Sequence, residues 1–159
     1  NVMAAACVGS HFGVDMPTIV SALENYKPSN NRSQFIPTSS NKLIVDAYNA
    51  NPTSMKAALE NFIALKSDSE KALVLGDMLE LGNDSEAEHR KIVEMIAVSG
   101  IKKVMLVGQN FASVAKNGMS TFKNVDELIP VLTDNKLNGC LILIKGSNSM
   151  KLTKIVEYL

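Results

Sequence analysis

Four five-residue runs rich in apolar side chains punctuate the sequence: Lys42–Asp46, Lys71–Leu75 before Gly76, Lys103–Val107 before Gly108, and Leu141–Lys145 before Gly146. Each stops at an acid, a lysine or a glycine. Runs this short suit strands buried on both faces of a sheet better than helices. Between them the period changes. Asn51-Pro52 reads as an N-cap with proline at the first helical position, followed by a stripe through Met55, Leu59, Phe62 and Leu65, with Ala58. Ser85 with Glu88 reads as a capping box opening a helix through Ile92, Val93 and Ile96 that ends at Gly100. A short helix through Phe111, Val114 and Ala115, a weak strand at Ser120–Phe122, and a helix capped by Asn124 with Glu127, against which Pro130 counts, follow. The last strand should lead into a closing helix over Ser147–Leu159. Strands alternating with helices require right-handed crossovers between parallel neighbours. The predicted fold is therefore a doubly wound, mostly parallel α/β sheet. Gln34–Thr38 and Lys42–Asp46, joined by Ser39-Ser40-Asn41, add an antiparallel hairpin at its edge.

Ahead of that domain the sequence predicts two short helices, Val2–Val8 and Pro17–Asn25, the second opened by Asp15-Met16-Pro17. The polar stretch Lys27-Pro28-Ser29-Asn30-Asn31 marks a boundary, giving a helical segment over 1–27 and the α/β domain over 28–159. The chain opens on Asn1 and runs at once into apolar helix, so it is expected to be excised from something larger. Lysine plus arginine balance aspartate plus glutamate, 16 against 16 in 159 residues, which leaves no electrostatic footprint for nucleic acid or an anionic membrane surface. Neither a bilayer-length apolar run nor a signal sequence is evident. Two cysteines, Cys7 and Cys140, suit reduced thiols in a chain of this size, so the expected compartment is the cytoplasm.

In such a sheet, ligands bind beyond the carboxyl ends of the strands. Those ends carry Asp46 to Pro52, Gly76 to Gly82, Gly108-Gln109, and Lys145-Gly146-Ser147. Asp46 suits a ribose diol, or else a cap on the next helix. Asn49 and Asn51 can both donate and accept, though Asn51 is also the obvious N-cap. Lys145, Gly146 and Ser147 place a cation, a small residue and a hydroxyl before a predicted helix N-terminus, an arrangement for an anion, or else a turn with a solvated lysine. Asp77 and Glu80 either reach the same pocket or orient a basic partner, or else serve as solvated or helix-capping acids. His89, without a second histidine or a cysteine at ligand spacing, reads as structural and not as a metal ligand. Arg32, at the boundary, could hold a phosphate or stay solvated. No P-loop pattern is present anywhere in the chain.

Three ordered motifs carry a family resemblance: Asp46 through Pro52 with Tyr48, Asn49 and Asn51; Leu75 through Gly82 followed by Ser85 and His89; and Ile144 through Ser147. Together they resemble the C-terminal domain of the Mur ligases, and Asn1 to Ala6 resembles the end of that family's central ATPase domain. The resemblance implies a Rossmann-like domain of an ATP-dependent amide ligase of peptidoglycan synthesis. Its pattern is nearest to members that add D-Ala-D-Ala to UDP-MurNAc-tripeptide. It implies that the P-loop and the Mg²⁺ ligands lie in a central domain and the UDP-sugar site in an N-terminal one, both outside this chain. The fragment alone should then be a nucleotide-closing and acceptor-binding half-site without catalytic residues. Carried over by position, Asn1, Arg32 and Asp46 would bind nucleotide. Tyr48, Asn49, Asn51, Lys145, Gly146 and Ser147 would bind the acceptor, and Asp77, Glu80 and His89 would be acceptor-site or structural. Asn148 stands where a basic residue is expected, which throws neutralisation of the acceptor carboxylate onto Lys145.

Two other readings fit part of the pattern. Asp46, Asp77 and Lys145 imitate the triad of a receiver-like phospho-acceptor domain, although Gly146 replaces the usual proline and Gly108 the usual hydroxyl residue. A Mur-superfamily ligase with a different acceptor fits as well.

Overall fold

A computed structural model describes residues 2–26 and 32–159. Asn1 and the 27/28 boundary lie outside the described residues. The first two helices are α1 (Val2–His11) and α2 (Met16–Asn25), the latter capped by Asp15, whose carboxylate accepts from the Thr18 N–H and hydroxyl, both at 2.9 Å. The sheet that follows has six strands: β1 (Gln34–Pro37), β2 (Lys42–Asp46), β3 (Glu70–Gly76), β4 (Lys103–Val107), β5 (Ser120–Phe122) and β6 (Cys140–Lys145). Their spatial order is β1-β2-β6-β3-β4-β5, with β1 antiparallel to β2 and every other neighbour parallel. The predicted mostly parallel sheet with an antiparallel edge hairpin is what forms.

Alternate side chains of the four inner strands, β2, β6, β3 and β4, enter opposite cores. On one face Leu73, Leu75, Leu141 and Leu143 pack with Met55, Leu59 and Phe62 of α3 (Pro52–Ala64), with Ile92, Val93 and Ile96 of α4 (Ser85–Val98), and with Phe111 of α5 (Gln109–Val114). On the other, Leu43, Val45, Val74, Ile142 and Ile144 pack with Leu128 and Leu132 of α6 (Val125–Asp134) and with Leu152 and Ile155. The chain thus runs from β2 to β5 along one face and returns by α6 on the other to insert β6 between β2 and β3. That insertion brings Asp46 opposite Lys145, and Lys145 opposite Leu75, at one edge of the sheet.

Two expectations change. Residues 147–159 form two 3-10 segments, Asn148–Met150 and Leu152–Tyr158, instead of an α-helix. Lys151 between them is left-handed, at φ 53°, and ends the first segment. Leu152 and Ile155, three apart, suit the 3-10 period when both enter the core. The Ser85–Glu88 capping box does not form: Ser85 Oγ lies 3.4 Å from His89 Nδ1, and Glu88 pairs with Lys91 at 2.6 Å. The expected helix after Asn124 does form, with Pro130 inside α6. The donor that it removes would have served Asp126, in the exposed first turn, where water can substitute.

Candidate functional site

The carboxyl ends of β2 and β6 build the first half of the site. Lys145 is only 1% exposed, and its Nζ donates to Asp46 Oδ2 at 2.6 Å and to the Asn49 carbonyl at 3.2 Å. A buried ammonium must be compensated this way. The other oxygen of Asp46 accepts the Ser33 N–H at 3.2 Å, and its side chain keeps 20% exposure. Beside it the Arg32 guanidinium lies 4.0 Å over the half-exposed ring of Tyr48, a cation–π contact that holds both side chains at the rim. Asn49 turns its Oδ1 back to the Ala50 N–H at 2.8 Å. Asn51 caps α3 through Oδ1 to the Ser54 N–H at 2.8 Å, while Ser54 Oγ accepts the Asn51 N–H at 3.1 Å. The Nδ2 groups of both asparagines make no hydrogen bond among the described residues.

The second half lies over the ends of β3 and β4. The carboxylate of Asp77, almost fully buried, accepts from Asn110 N–H and Phe111 N–H, each at 2.9 Å, and so anchors the start of α5. Gly108, at φ 121°, makes that possible: a Cβ there would stand 2.2 Å from Asp77 Cγ. Gly146 answers a similar demand, since its Cβ would lie 2.9 Å from the Gly76 Cα on the neighbouring strand. His89 is fully buried, with its ring packed edge-on against Phe111 at 4.6 Å between centroids. Ser147, 6% exposed, donates its N–H to the Asp77 carbonyl at 3.2 Å and accepts the Leu79 N–H on Oγ at 3.1 Å.

Arg32, Asp46, Tyr48, Asn49 and Lys145 therefore converge, and Asp77, His89 and Ser147 form a second cluster beside them. Glu80 stays exposed in a left-handed conformation at φ 65°, without a hydrogen bond among the described residues. Asn1 lies outside them. Lys145-Gly146-Ser147 does not precede an α-helix, so the anion site expected from a helix N-terminus is replaced by a lysine already committed to Asp46 and Asn49. Sequence reading missed Ser33, which acts only through its backbone. It read Gly108 as a strand stop; the glycine is needed to admit a carboxylate. The receiver-like alternative loses its acid pair, because both oxygens of Asp77 are bound to backbone N–H groups.

The chain that folds into this six-stranded sheet, with its polar residues gathered at β2, β6 and β3, belongs to the Mur ligase C-terminal domain family: the family described as "Mur ligase, glutamate ligase domain" matches residues 31–148. Among individual relatives it is 37% identical to the UDP-N-acetylmuramoyl-tripeptide–D-alanyl-D-alanine ligase of Bacillus subtilis, over 99% of this chain and 36% of that protein. The enzyme of the same name from Rickettsia prowazekii is 40% identical over 92% of this chain and 33% of its own length. The crystal structure of MurF from Acinetobacter baumannii superposes with a TM-score of 0.76 at 29% identity, covering 98% of this chain and 35% of that one. MurF from Thermotoga maritima, solved in complex with ADP, shares the fold at a TM-score of 0.75 and 20% identity, over 96% of this chain and 35% of its own. The chain thus spans about a third of the relatives that it matches.

Proposed function

We propose that the chain is the nucleotide-closing and acceptor-binding domain of an ATP-dependent ligase that adds D-Ala-D-Ala to UDP-MurNAc-tripeptide in the cytoplasm. The observation that carries this reading is the convergence of Arg32, Asp46 and Tyr48 with the Lys145 ammonium at one sheet edge, in a chain whose relatives bear that ligase's name. In the reaction, ATP phosphorylates the tripeptide carboxylate, the dipeptide amine displaces phosphate from the acyl phosphate, and the amide, ADP and phosphate result. This is chemistry of positioning and charge neutralisation. Asp46, with Oδ2 fixed by Lys145, offers its remaining lone pairs to the ribose hydroxyls, and Arg32 approaches the phosphates from the rim. The ADP in the Thermotoga maritima complex is consistent with a nucleotide in such an enzyme. Tyr48, the Nδ2 groups of Asn49 and Asn51, and the Ser147 hydroxyl face the dipeptide, with Gly146 keeping the backbone close.

Mg²⁺ is assigned elsewhere. Among the described residues no three His, Cys, Asp or Glu side chains gather, and the ion is proposed to sit with the phosphate loop of the central domain. The UDP-sugar site and the phosphate loop are likewise assigned to preceding domains. Residues 1–27 are the tail of the central one, which would cover the apolar side chains of Val2, Met3, Val8 and Phe12, exposed by 57–81%. In the described residues no helix is long and apolar enough to cross a membrane, and Cys7 and Cys140 are free thiols. The test is ADP release by the full-length protein carrying this chain. It should require both UDP-MurNAc-tripeptide and D-Ala-D-Ala, and the 159-residue chain alone should give none. Preference for another acceptor would replace the substrate assignment.

A further inference from the structure

One peptide group in the site is gripped at both ends. The unit joining Asp77 to Met78 points its carbonyl at the Ser147 N–H, 3.2 Å away, and its N–H at His89 Nε2, 3.0 Å away. Because the unit is planar, the two directions are tied, and rotating one end out of place loses both bonds. The next peptide donates its Leu79 N–H to Ser147 Oγ at 3.1 Å. Ser147 is thus held by two consecutive peptide groups, and the first of these is held in turn by His89.

We propose that His89 is a positioning residue for the Ser147 hydroxyl at the dipeptide site, acting through the Asp77–Met78 peptide and the Leu79 N–H. The claim rests on the ligase reading, in which Ser147 faces the dipeptide. Nε2 accepts a backbone N–H, so it carries the lone pair, and the proton sits on Nδ1, which donates to the Ser85 carbonyl at 2.7 Å. The ring has no freedom to turn: it is fully buried, stands edge-on to Phe111 and lies between α4 and the β3 end. Asp77 contributes twice. Its carboxylate fixes the start of α5 and therefore Phe111 under the ring, and its own N–H bonds the Val107 carbonyl at 3.0 Å, fixing where the peptide begins. With Leu79 N–H occupying Oγ as acceptor, and no acceptor for the hydroxyl proton among the described residues, Ser147 has a donor to give to a substrate oxygen.

The experiment compares His89→Gln, which can place an amide oxygen near the position of Nε2, with His89→Asn, which is too short to reach Met78. Both are made in the full-length ligase. The wild-type ¹⁵N spectrum should show the Nδ1–H tautomer at His89. Exchange of the Ser147 amide should speed up in the asparagine variant and recover in the glutamine variant. The Michaelis constant for D-Ala-D-Ala should rise about tenfold in His89→Asn while that for ATP moves less than about threefold, and His89→Gln should restore most of the difference. An Nε2–H tautomer overturns the proposal even if neither variant folds, as does an equal rise in both constants or unchanged Ser147 exchange. A wild-type ligase indifferent to D-Ala-D-Ala would defeat the substrate reading instead. The tautomer and the exchange comparison would then decide the positioning role by themselves.

Discussion

Lys145 Nζ and Asp46 Oδ2 stand 2.6 Å apart across paired positions of β6 and β2, with the lysine buried and the aspartate one-fifth exposed. The pair joins the residue proposed to hold the ribose to the loop proposed to meet the dipeptide. The lysine is therefore unlike a free cation waiting for a carboxylate: its charge is already spent on Asp46, and a second donor proton on the Asn49 carbonyl. Replacing it by methionine should cost about 3 kcal/mol, the lower end of the range for breaking a buried pair, because Asp46 can be partly rehydrated. Adding Asp46→Asn should recover part of that loss in a double-mutant cycle. In the full-length ligase Lys145→Met should raise the ATP Michaelis constant at least as much as that for D-Ala-D-Ala. A rise confined to the dipeptide would instead mean that the ammonium reaches the acceptor directly.

Gly108→Ala should be among the most damaging single-methyl changes in the domain. The new Cβ would overlap the Asp77 carboxylate, at 2.2–2.6 Å, in a backbone at φ 121° that side chains rarely adopt. Backbone strain alone amounts to about 1–3 kcal/mol, and displacing Asp77 also unseats the Asn110 and Phe111 N–H groups. A shift of the denaturation midpoint corresponding to 3 kcal/mol or more, roughly, is expected. Gly118→Ala is the control: its φ of 90° is also one that side chains rarely adopt, but nothing stands within 4 Å of the new methyl.

The strands were legible because their apolar runs are continuous and end on glycine or a charge. Lys42–Asp46 and Lys103–Val107 form as read, and β3 and β6 differ only at their ends. The closing segment was not legible. Leu152 and Ile155 satisfy a 3-10 turn as well as an α-helix, and no glycine announces the left-handed Lys151. At the site, position after a strand found Asp46, Lys145 and Ser147, yet it could not tell which charges neutralise one another, since a pair 99 residues apart depends on β6 inserting beside β2. Ser33 and Leu79 take part through backbone N–H groups, which residue identity does not report.

Asp15 provides a pH test of the helical segment. Its carboxyl is held below the ordinary aspartate range, first by the Thr18 N–H and then by the Thr18 hydroxyl. A lowered folded value means that the unfolded chain takes up the proton first as pH falls. The cap therefore contributes fully above the ordinary aspartate range and fades as pH drops through the lowered value. Thr18 amide exchange should accelerate over that acid window in the full-length protein. Asp15→Asn, which caps without titrating, should flatten the dependence.

Asn51 separates a structural from a binding role by chemistry at its two amide atoms. Oδ1 is committed to the Ser54 N–H, whereas Nδ2 has no partner among the described residues and is proposed to face the dipeptide. Asn51→Ala should lose about 1 kcal/mol, the usual value of an N-cap, along with any contact from Nδ2. Asn51→Asp keeps the acceptor oxygen and adds a negative charge at the start of α3, where the helix dipole favours it, so stability should be kept. Its Michaelis constant for D-Ala-D-Ala should nevertheless rise, because the donor is gone and a carboxylate faces the carboxylate of the dipeptide. Ser54→Ala breaks the reciprocal half of the cap, the Asn51 N–H to Ser54 Oγ bond of 3.1 Å, and should lower stability with kinetics unchanged. If Asn51→Asp and Ser54→Ala both leave the dipeptide constant at the wild-type value, Asn51 is a helix cap and nothing more.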